Sequence, residues 1–334
     1  MTPALEQVLT ASGARMSDGS VLDFGDPAEE LRTAASGSIV VPLTTLACLE
    51  FSGDDAETFL HGQLSCDVQG IAAAGACYGA YCSPQGRVLA NFILLRLESS
   101  FLMLLSASVV ETIKKRIGMF VLRSRVKISL GNQVLIGLSG NIGVQAGTKP
   151  LASSHEADGT IALKLDAGRS LLIIPPEIAH SRWQSLATSA RPAGVASWEW
   201  LDICAGVPWI GAATREEFIP QMANLDLLGG VSFTKGCYPG QEVVARTQYR
   251  GQVKRRMFRA HVDAAILPKA GDPLFSDDLG DQASGKVVSA QPSPSGGYDL
   301  LAVVTISSMR ASTIRLGSAT GAALTFQTLP YPVA

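Results

Sequence analysis

The stretch from Lys235 to Glu242, Lys-Gly-Cys-Tyr-Pro-Gly-Gln-Glu, constrains the fold of this chain more than any other. Two glycines and a proline lie among its residues, so the backbone must make a specific turn here. Proline favours the first position of a helix, because its φ is fixed and its missing N–H would lack a partner there. The pattern therefore predicts a helix that begins at Pro239 and continues through Arg246.

Cys237 would then lie just before a helix N-terminus, where free N–H groups and the helix dipole favour negative charge. Lys235 adds a positive charge two residues away. Both effects favour the thiolate, the form of cysteine that attacks electrophiles and binds metals. The alternative interpretation is that Cys237 is a small buried hydrophobic residue and that Gly236 and Gly240 are ordinary turn residues.

Composition restricts the class of protein. The chain has 334 residues, is 47% hydrophobic and 17% charged, which is typical of a globular protein with two or three domains. A net charge of −2 gives no overall field that would attract nucleic acid or a membrane. The six cysteines lack the spacing of a disulfide scaffold, and we find no signal-peptide pattern or membrane-length apolar run. These features predict a protein of a reducing cytoplasm.

The hydrophobic pattern divides the chain near residue 250. Mixed helices and strands are predicted before this point, with a long surface loop at residues 141–160. Beyond residue 255, short apolar strands alternate with Gly, Pro and Asp turns, which predicts a small β-barrel. We therefore expect an N-terminal region of residues 1–250, of one or two intertwined subdomains, and a C-terminal domain of residues 251–334.

Two charged groups have alternative interpretations. Glu199 and Asp202, on a predicted helix, could face a ligand pocket, but we favour the interpretation that they are exposed helix acids.

A second group, of basic residues, could contact RNA phosphates or the carboxylates of a polyglutamated ligand. It comprises Arg246, Arg250, Lys254, Arg255, Arg256 and Arg259. Few aromatic residues are interleaved with these cations, so direct nucleic-acid binding is the less favoured interpretation.

Residues 235–246 resemble the signature of the YgfZ-type folate-binding proteins. These are relatives of the glycine-cleavage aminomethyltransferase (T-protein) and act in iron–sulfur cluster assembly and repair. Further blocks match this family in the same order: residues 53–56 with 59–64, residues 83–88, and residues 218–222 with 224–226. Together the matching blocks span about residues 45–260.

The resemblance implies an α+β fold. Its parts would be a composite folate-binding region with ferredoxin-like parts and a C-terminal β-barrel, in a ring-like arrangement. It implies tetrahydrofolate or a derivative as cofactor. It also implies a transient iron–sulfur cluster shared with a partner, because one cysteine supplies one ligand where a cluster needs four. The expected partners are iron–sulfur assembly proteins of the A-type scaffold kind and client cluster enzymes, in a bacterial cytoplasm with no membrane contact.

The sequence departs from the aminomethyltransferases at one informative place. Those enzymes carry paired aspartates after a Gly-Gly turn, and one of them is essential to the folate chemistry. Leu89, Ala90 and Asn91 occupy the matching positions here. The resemblance therefore implies that folate binding is retained and aminomethyl transfer is lost, so an accessory role is favoured over an enzyme.

The resulting hypothesis is a tetrahydrofolate-binding accessory factor for iron–sulfur cluster assembly or repair, which supports tRNA modification indirectly. Cys237 would be the functional thiol, as nucleophile or as cluster ligand. The residues assigned to support it or to bind folate are Lys235, Tyr238, Gln241, Glu242, Arg246, Arg87, Asn224 and Asp226. An active folate-dependent aminomethyl- or methyltransferase and a direct tRNA-binding module remain the alternatives.

Overall fold

The structure is a computed structural model that describes residues 3–142 and 149–333. The helices within these ranges are α1 (Pro3–Ala11), α2 (Pro27–Ser36), α3 (Ala56–Gln63), α4 (Val110–Gly118), α5 (Ala179–Ala187), α6 (Val195–Ala205), α7 (Gln241–Tyr249) and α8 (Ile306–Ala311). The strands are β1 (Arg15–Ser17), β2 (Ser20–Asp23), β3 (Ile39–Pro42), β4 (Leu46–Ser52), β5 (Ala76–Cys82), β6 (Val88–Arg96), β7 (Ser100–Ser106), β8 (Lys127–Leu130), β9 (Val134–Ser139), β10 (Ser153–His155), β11 (Ile161–Lys164), β12 (Arg169–Ile174), β13 (Arg191–Pro192), β14 (Arg255–Val262), β15 (Pro273–Ser276), β16 (Ala283–Pro292), β17 (Tyr298–Thr305), β18 (Ile314–Leu316) and β19 (Thr325–Gln327).

Local chemistry explains where several helices begin and end. Asp26 precedes α2 and its carboxylate accepts the N–H of Glu29 at 3.0 Å, while Pro27 occupies the first turn. This confirms the predicted capped start. Helix α6 ends at Gly206, which has φ +67° and therefore favours a residue without a Cβ.

Three large sheets organise the molecule. One has the strand order β10-β11-β12-β9-β3-β13, and a second has the order β5-β6-β7-β4-β8. The third, order β18-β15-β16-β17-β14-β19, is antiparallel and forms a C-terminal half-barrel. The mixed α+β class is confirmed, and the predicted barrel is a half-barrel. The ring-like arrangement, the ferredoxin-like parts and the division at residue 250 stay predictions.

One hydrophobic cluster joins the N-terminal part to the half-barrel. It contains Val88 of β6, Phe218 of the long segment between α6 and α7, Val244 of α7, and Met257 and Val303 of the half-barrel. All five side chains are buried. Because helix α7 contributes to this shared core, the stretch containing Cys237 is held between the two parts of the chain.

Two predicted elements differ in the structure. Residues Ser153–His155 form strand β10 within the predicted loop of residues 141–160, because as an edge strand they need only pair with β11. Residues 143–148 of that loop lie outside the described residues. Helix α7 begins at Gln241, because Gly240 has φ +82° and a left-handed residue ends the regular helical geometry. The prediction that the helix begins at Pro239 is therefore wrong.

No helix in the described ranges is long and apolar enough to cross a membrane.

A buried ion pair fastens the start of the half-barrel to the segment before α7. Arg256 donates to both carboxylate oxygens of Asp226, at 2.6 and 2.9 Å, and to the carbonyl of Gln221 at 2.7 Å. Both charged side chains are more than nine-tenths buried. The pair thus fixes the position of β14 relative to that segment.

We expect Asp226→Ala to destabilise the protein by about 3–5 kcal/mol, because it leaves a buried guanidinium without its counter-charge. Asp54→Ala is the matched control, since Asp54 pairs with Arg125 at 2.9 Å in an exposed position and such pairs contribute about 1 kcal/mol or less. Urea unfolding measures both. Equal losses of unfolding free energy in the two variants would contradict the assignment.

Candidate functional site

The four sequence blocks that resemble the YgfZ-type proteins come together around the stretch that contains Cys237. The carbonyl of Phe218 accepts the N–H of Val88 at 2.8 Å, which joins the third block to the second. The Gln221 side-chain amide donates to the carbonyl of Val244 at 2.7 Å, which joins the third block to α7. The first block is joined through Lys235. The blocks therefore form one structural unit, which we call the signature site (residues 83–88, 218–226 and 235–246, with the C-terminal end of α3).

Lys235 is anchored at the C-terminal end of α3. Its ammonium donates to the carbonyl of Leu64 at 2.6 Å and to that of His61. A cation is favourable there, because the last carbonyls of a helix carry partial negative charge. The same ammonium lies 5.2 Å from the centre of the Tyr238 ring. Burial lowers the pKa of Lys235. The prediction was that Lys235 would act on the Cys237 thiol; the structure gives its ammonium a supporting role at α3.

Tyr238 is the second anchor of the signature site. Its side chain is buried, and burial raises the pKa of its phenol, which therefore stays protonated at neutral pH. The hydroxyl has no hydrogen-bond partner among the described residues. Lys235 and Tyr238 flank Cys237 on either side in sequence, so both ends of this short segment are fixed.

Gly240 makes a backbone contact that excludes any side chain. A Cβ at this position would lie 2.4 Å from the carbonyl oxygen of Ser83 and 2.7 Å from the Cα of Gly86. Gly86 also has a left-handed φ of +72°, and a Cβ on it would lie 2.9 Å from Val243. The two turns therefore require glycine at both positions, for conformation and for space.

Cys237 is exposed, whereas the other five cysteines are buried or half-buried. Burial raises the pKa of the thiols of Cys48 and Cys82 to about 12, which makes them poor nucleophiles. The interpretation of Cys237 as a small buried hydrophobic residue is therefore wrong. The structure presents this thiol to solvent on a short loop, after the anchored Lys235 and before the buried Tyr238.

Three of the residues assigned to the signature helix lie on its accessible side. Gln241 donates to the carbonyl of Gly236 at 3.4 Å. Glu242 and Arg246 are exposed and pair with each other at 3.1 Å, one helical turn apart. Such a pair contributes only a few tenths of a kcal/mol, so both side chains are available to a partner.

The residues assigned to folate make contacts within the protein. Arg87 donates to the carbonyl of Glu217 at 2.8 Å from an exposed position. Asn224 is fully buried and donates to the carbonyl of Met257 at 2.7 Å. Asp226 is bound by Arg256. Folate contact by Arg87, Asn224 and Asp226 stays a prediction.

A cavity of about 420 Å³ lies between α6, β16 and the segment after α6. Its lining includes Trp198, Glu199, Asp202 and Trp209, together with Gln291. The favoured interpretation of Glu199 and Asp202 as exposed helix acids is therefore wrong. Helix α6 is apolar on several sides, with Trp198, Trp200 and Ile203 buried as well, and a helix of this kind is buried. That pattern could have located both acids.

The two acids of the cavity differ in their partners. Asp202 accepts from the Arg169 guanidinium at 2.5 Å and from the Trp209 indole at 2.9 Å. Glu199 accepts from the side-chain amide of Gln291. Burial raises the pKa of the Glu199 carboxyl to about 7, and hydrogen bonds from Thr45 and Gln291 act in the opposite direction. Arg169 and Trp209 were not found by sequence reasoning.

Asn91 supports the wall of this cavity. Its side-chain amide donates to the carbonyl of Pro208 and its side-chain oxygen accepts the N–H of Ile210, both at 2.7 Å. The two bonds hold the backbone on either side of Trp209. An aspartate could not make both, because an ionised carboxylate only accepts.

Comparison with known proteins identifies the family. The chain is 34% identical over 299 residues to the tRNA-modifying protein YgfZ of Edwardsiella ictaluri, with 85% of this chain and 89% of that protein covered. It is 32% identical over 312 residues to the tRNA-modifying protein YgfZ of Photorhabdus laumondii, covering 88% and 94% respectively. The chain belongs to the YgfZ family. No protein-family model matches it.

The fold of this YgfZ-family chain is similar to the crystal structure of the glycine cleavage system aminomethyltransferase T from Bartonella henselae. The TM-score is 0.82, and the alignment covers 99% of this chain and 97% of the other at 16% sequence identity. At that identity the similarity shows the fold alone. Both parts of the resemblance, to the YgfZ proteins and to the T-protein, are confirmed.

We expect Gly240→Ala to lower the free energy of unfolding by ~2 kcal/mol or more, because a side chain is disfavoured at positive φ and would meet the Ser83 carbonyl. Gly236→Ala is the matched control, since a Cβ at Gly236 meets nothing within 4 Å. Chemical denaturation of both variants gives the comparison. A Gly240→Ala protein as stable as Gly236→Ala would show that the two turns are not in contact.

Proposed function

We propose that the protein is a tetrahydrofolate-binding accessory factor for iron–sulfur cluster assembly or repair in the bacterial cytoplasm. Through client enzymes that contain clusters, it would support tRNA modification indirectly. The observation that carries the proposal is the exposed Cys237 thiol, which lies between the anchored Lys235 and the buried Tyr238. A thiol fixed in this way is suited to an encounter with another protein.

The thiol would act in company with a partner. A cluster needs four thiolates or their equivalents, and the part of the chain that the structure describes holds no group of three or more His, Cys, Asp or Glu suited to a metal ion. Cys237 would therefore be one ligand of a cluster shared with an A-type scaffold protein or a client enzyme. The alternative role for this thiol is that of a nucleophile. Gln241, Glu242 and Arg246 lie beside it and would contact that partner.

The cavity supports the folate part of the proposal. Its volume falls within the range of small-molecule sites, and it combines aromatic walls with a small number of polar groups. The resemblance described above also implies that the aminomethyltransferases, which share this fold, carry out folate chemistry. In this proposal the folate lies in the cavity, which Arg87, Asn224 and Asp226 do not line, so it replaces the predicted folate contacts of these three residues. The thiol acts from the signature site.

The aminomethyltransferase alternative is the weaker one, because of Asn91. This residue belongs to the stretch of Leu89, Ala90 and Asn91 that replaces the paired aspartates in the resemblance, and both ends of its side-chain amide are bound to the backbone at Pro208 and Ile210. It supports the cavity wall and offers no negative charge.

The tRNA-binding alternative is weakened by the partners of the basic stretch. Arg256 is buried against Asp226, and Arg259 lies 3.4 Å from Asp299. Charges that are neutralised by neighbouring carboxylates contribute little to phosphate binding. The name of the relatives, tRNA-modifying protein, is equally compatible with the indirect role proposed here.

We expect Cys237→Ser to abolish the support of cluster transfer and to leave tetrahydrofolate affinity unchanged within about twofold, because serine keeps the volume and removes the soft ligand. Cluster transfer from a loaded A-type scaffold protein to an apo client enzyme, and calorimetry with tetrahydrofolate, measure the two effects. Cys204→Ser is the control that retains transfer, because Cys204 is half-buried on α6. Transfer at the wild-type rate by Cys237→Ser would refute the role of the thiol.

We expect Asn91→Asp to destabilise the protein by about 1–3 kcal/mol and to create no aminomethyl transfer. The carboxylate cannot donate to Pro208, so two acceptors would face each other in a buried position. Denaturation measures the first effect, and formation of methylenetetrahydrofolate from an aminomethyl donor measures the second. Turnover by Asn91→Asp would instead favour the aminomethyltransferase alternative.

A further inference from the structure

The chain that leaves helix α4 carries large apolar side chains in solvent. Met119, Phe120 and Leu122, which we call the apolar tip, are 60%, 44% and 87% exposed. In the part of the chain that the structure describes, no other four-residue stretch has three large apolar side chains this exposed. Single exposed apolar residues are ordinary, whereas a contiguous group of them marks a site of interaction.

The backbone at Leu122 strengthens this interpretation. Its φ is +45°, in the left-handed region that a bulky side chain disfavours because the Cβ approaches the following carbonyl oxygen. Packing does not compensate, since most of the side chain is in solvent. Backbone strain of this kind collects at binding and switch sites. The strained and exposed leucine is therefore accounted for by a contact outside the molecule.

Four cations accompany the apolar tip. Lys114 and Lys115 lie on α4, Arg123 directly follows the tip, and Lys127 begins β8. None of the four forms an ion pair with a residue that the structure describes. A run of like charges is usually a solvated face, but such a face does not need apolar side chains at its centre. Apolar anchors with a charged rim are instead the composition of an interface.

Two adjacent surface depressions bring the tip and the cations together. One is lined by Phe120, Leu122 and Arg123. The other lies between α4 and β8 and is lined by both lysines of α4 and by Val126. Val121 lines both depressions. The tip and the two lysines therefore belong to one continuous surface.

The carboxylates of this surface decide which class of partner it fits. Asp55 lines the first depression and Glu111 the second. Arg125 is already paired with Asp54 at 2.9 Å and with Asp55 at 3.7 Å. Lipid headgroups or RNA would place phosphates against these carboxylates, which repel them. A protein can place its acids opposite the free cations and other groups opposite Asp55 and Glu111.

We propose that the apolar tip and its four unpaired cations form a docking surface for an acidic segment of a partner protein, whose apolar residues cover the tip. This inference goes beyond the proposed function, because it involves neither Cys237 nor the cavity. Helix α3 begins next to Asp55 and holds Lys235 at its other end; its eight residues span about 12 Å. A protein bound at the tip therefore lies near the signature site.

The first test uses a labelled peptide of glutamates and leucines, and fluorescence anisotropy measures its affinity. Leu122→Asn removes the apolar anchor and relieves strain, because asparagine tolerates positive φ. We expect binding to weaken about 10-fold, with a melting temperature that is unchanged or higher. Ile266→Asn is the matched control that keeps full affinity, since Ile266 is 75% exposed between β14 and β15.

The second test concerns the sign of the charges. Wild type should bind the glutamate peptide more tightly than a peptide with lysine in place of glutamate. The double variant Lys114→Glu, Lys115→Glu should reverse that preference, because it replaces two unpaired cations by carboxylates. A double variant that keeps the preference of the wild type would contradict the role of these lysines.

Each other outcome overturns the proposal. Wild type that does not bind the glutamate peptide, or that binds the lysine peptide equally, has no acidic docking surface. Leu122→Asn with wild-type affinity would show that the tip is not the anchor. Vesicles of phosphatidylglycerol and phosphatidylcholine, and transfer RNA, test the other classes. Binding to either that Leu122→Asn loses, without peptide binding, would assign the surface to a membrane or to RNA.

The inference and the proposed function fail separately. Cys237→Ser should bind the glutamate peptide as wild type does, because the thiol is not part of the docking surface. If that peptide binds as expected and cluster transfer is absent from wild type, only the proposed function fails. If transfer depends on Cys237 and the peptide does not bind, only the inference fails.

Discussion

The backbone contact between Gly240 and the turn at Ser83 and Gly86 determines where the exposed thiol lies. A Cβ on Gly240 would lie 2.4 Å from the Ser83 carbonyl oxygen, so only glycine allows the two turns to approach this closely. The same left-handed residue delays the start of α7 to Gln241. Cys237 therefore lies in a loop ahead of the helix, and the thiol reaches solvent while Tyr238 beside it is buried.

Side-chain amides and hydroxyls replace secondary structure over the long segment between α6 and α7. No helix or strand is present from Gly206 to Gly240, yet much of this backbone is buried and needs hydrogen-bond partners. Ser65 donates to the carbonyl of Gly230 at 2.6 Å, and Asn224 bridges to Met257. A long irregular segment inside a compact fold is uncommon and usually functional, and here it supplies both the wall of the cavity and the support of the thiol.

The sequence allowed some of this to be predicted, and the limits have physical causes. The capped start of α2 and the mixed α+β class follow from local patterns, which need only neighbouring residues. The partners of Lys235 lie 174 and 171 residues away in the chain, and no local pattern specifies such a contact. Sequence reasoning therefore linked Lys235 only to the nearest thiol in the chain and could not foresee its contacts with the end of α3. The acids of α6 were a different case, since the apolar residues around them already indicated a buried helix.

Strand β6 connects the two candidate sites. At its beginning, Val88 holds the segment at Phe218 that leads to the signature site. Further along, Asn91 holds the backbone around Trp209 that lines the cavity. The asparagine amide both donates and accepts, so it fixes this wall in a way that an ionised carboxylate, which only accepts, could not. One strand therefore positions both the wall of the cavity and the segment that leads to the exposed thiol.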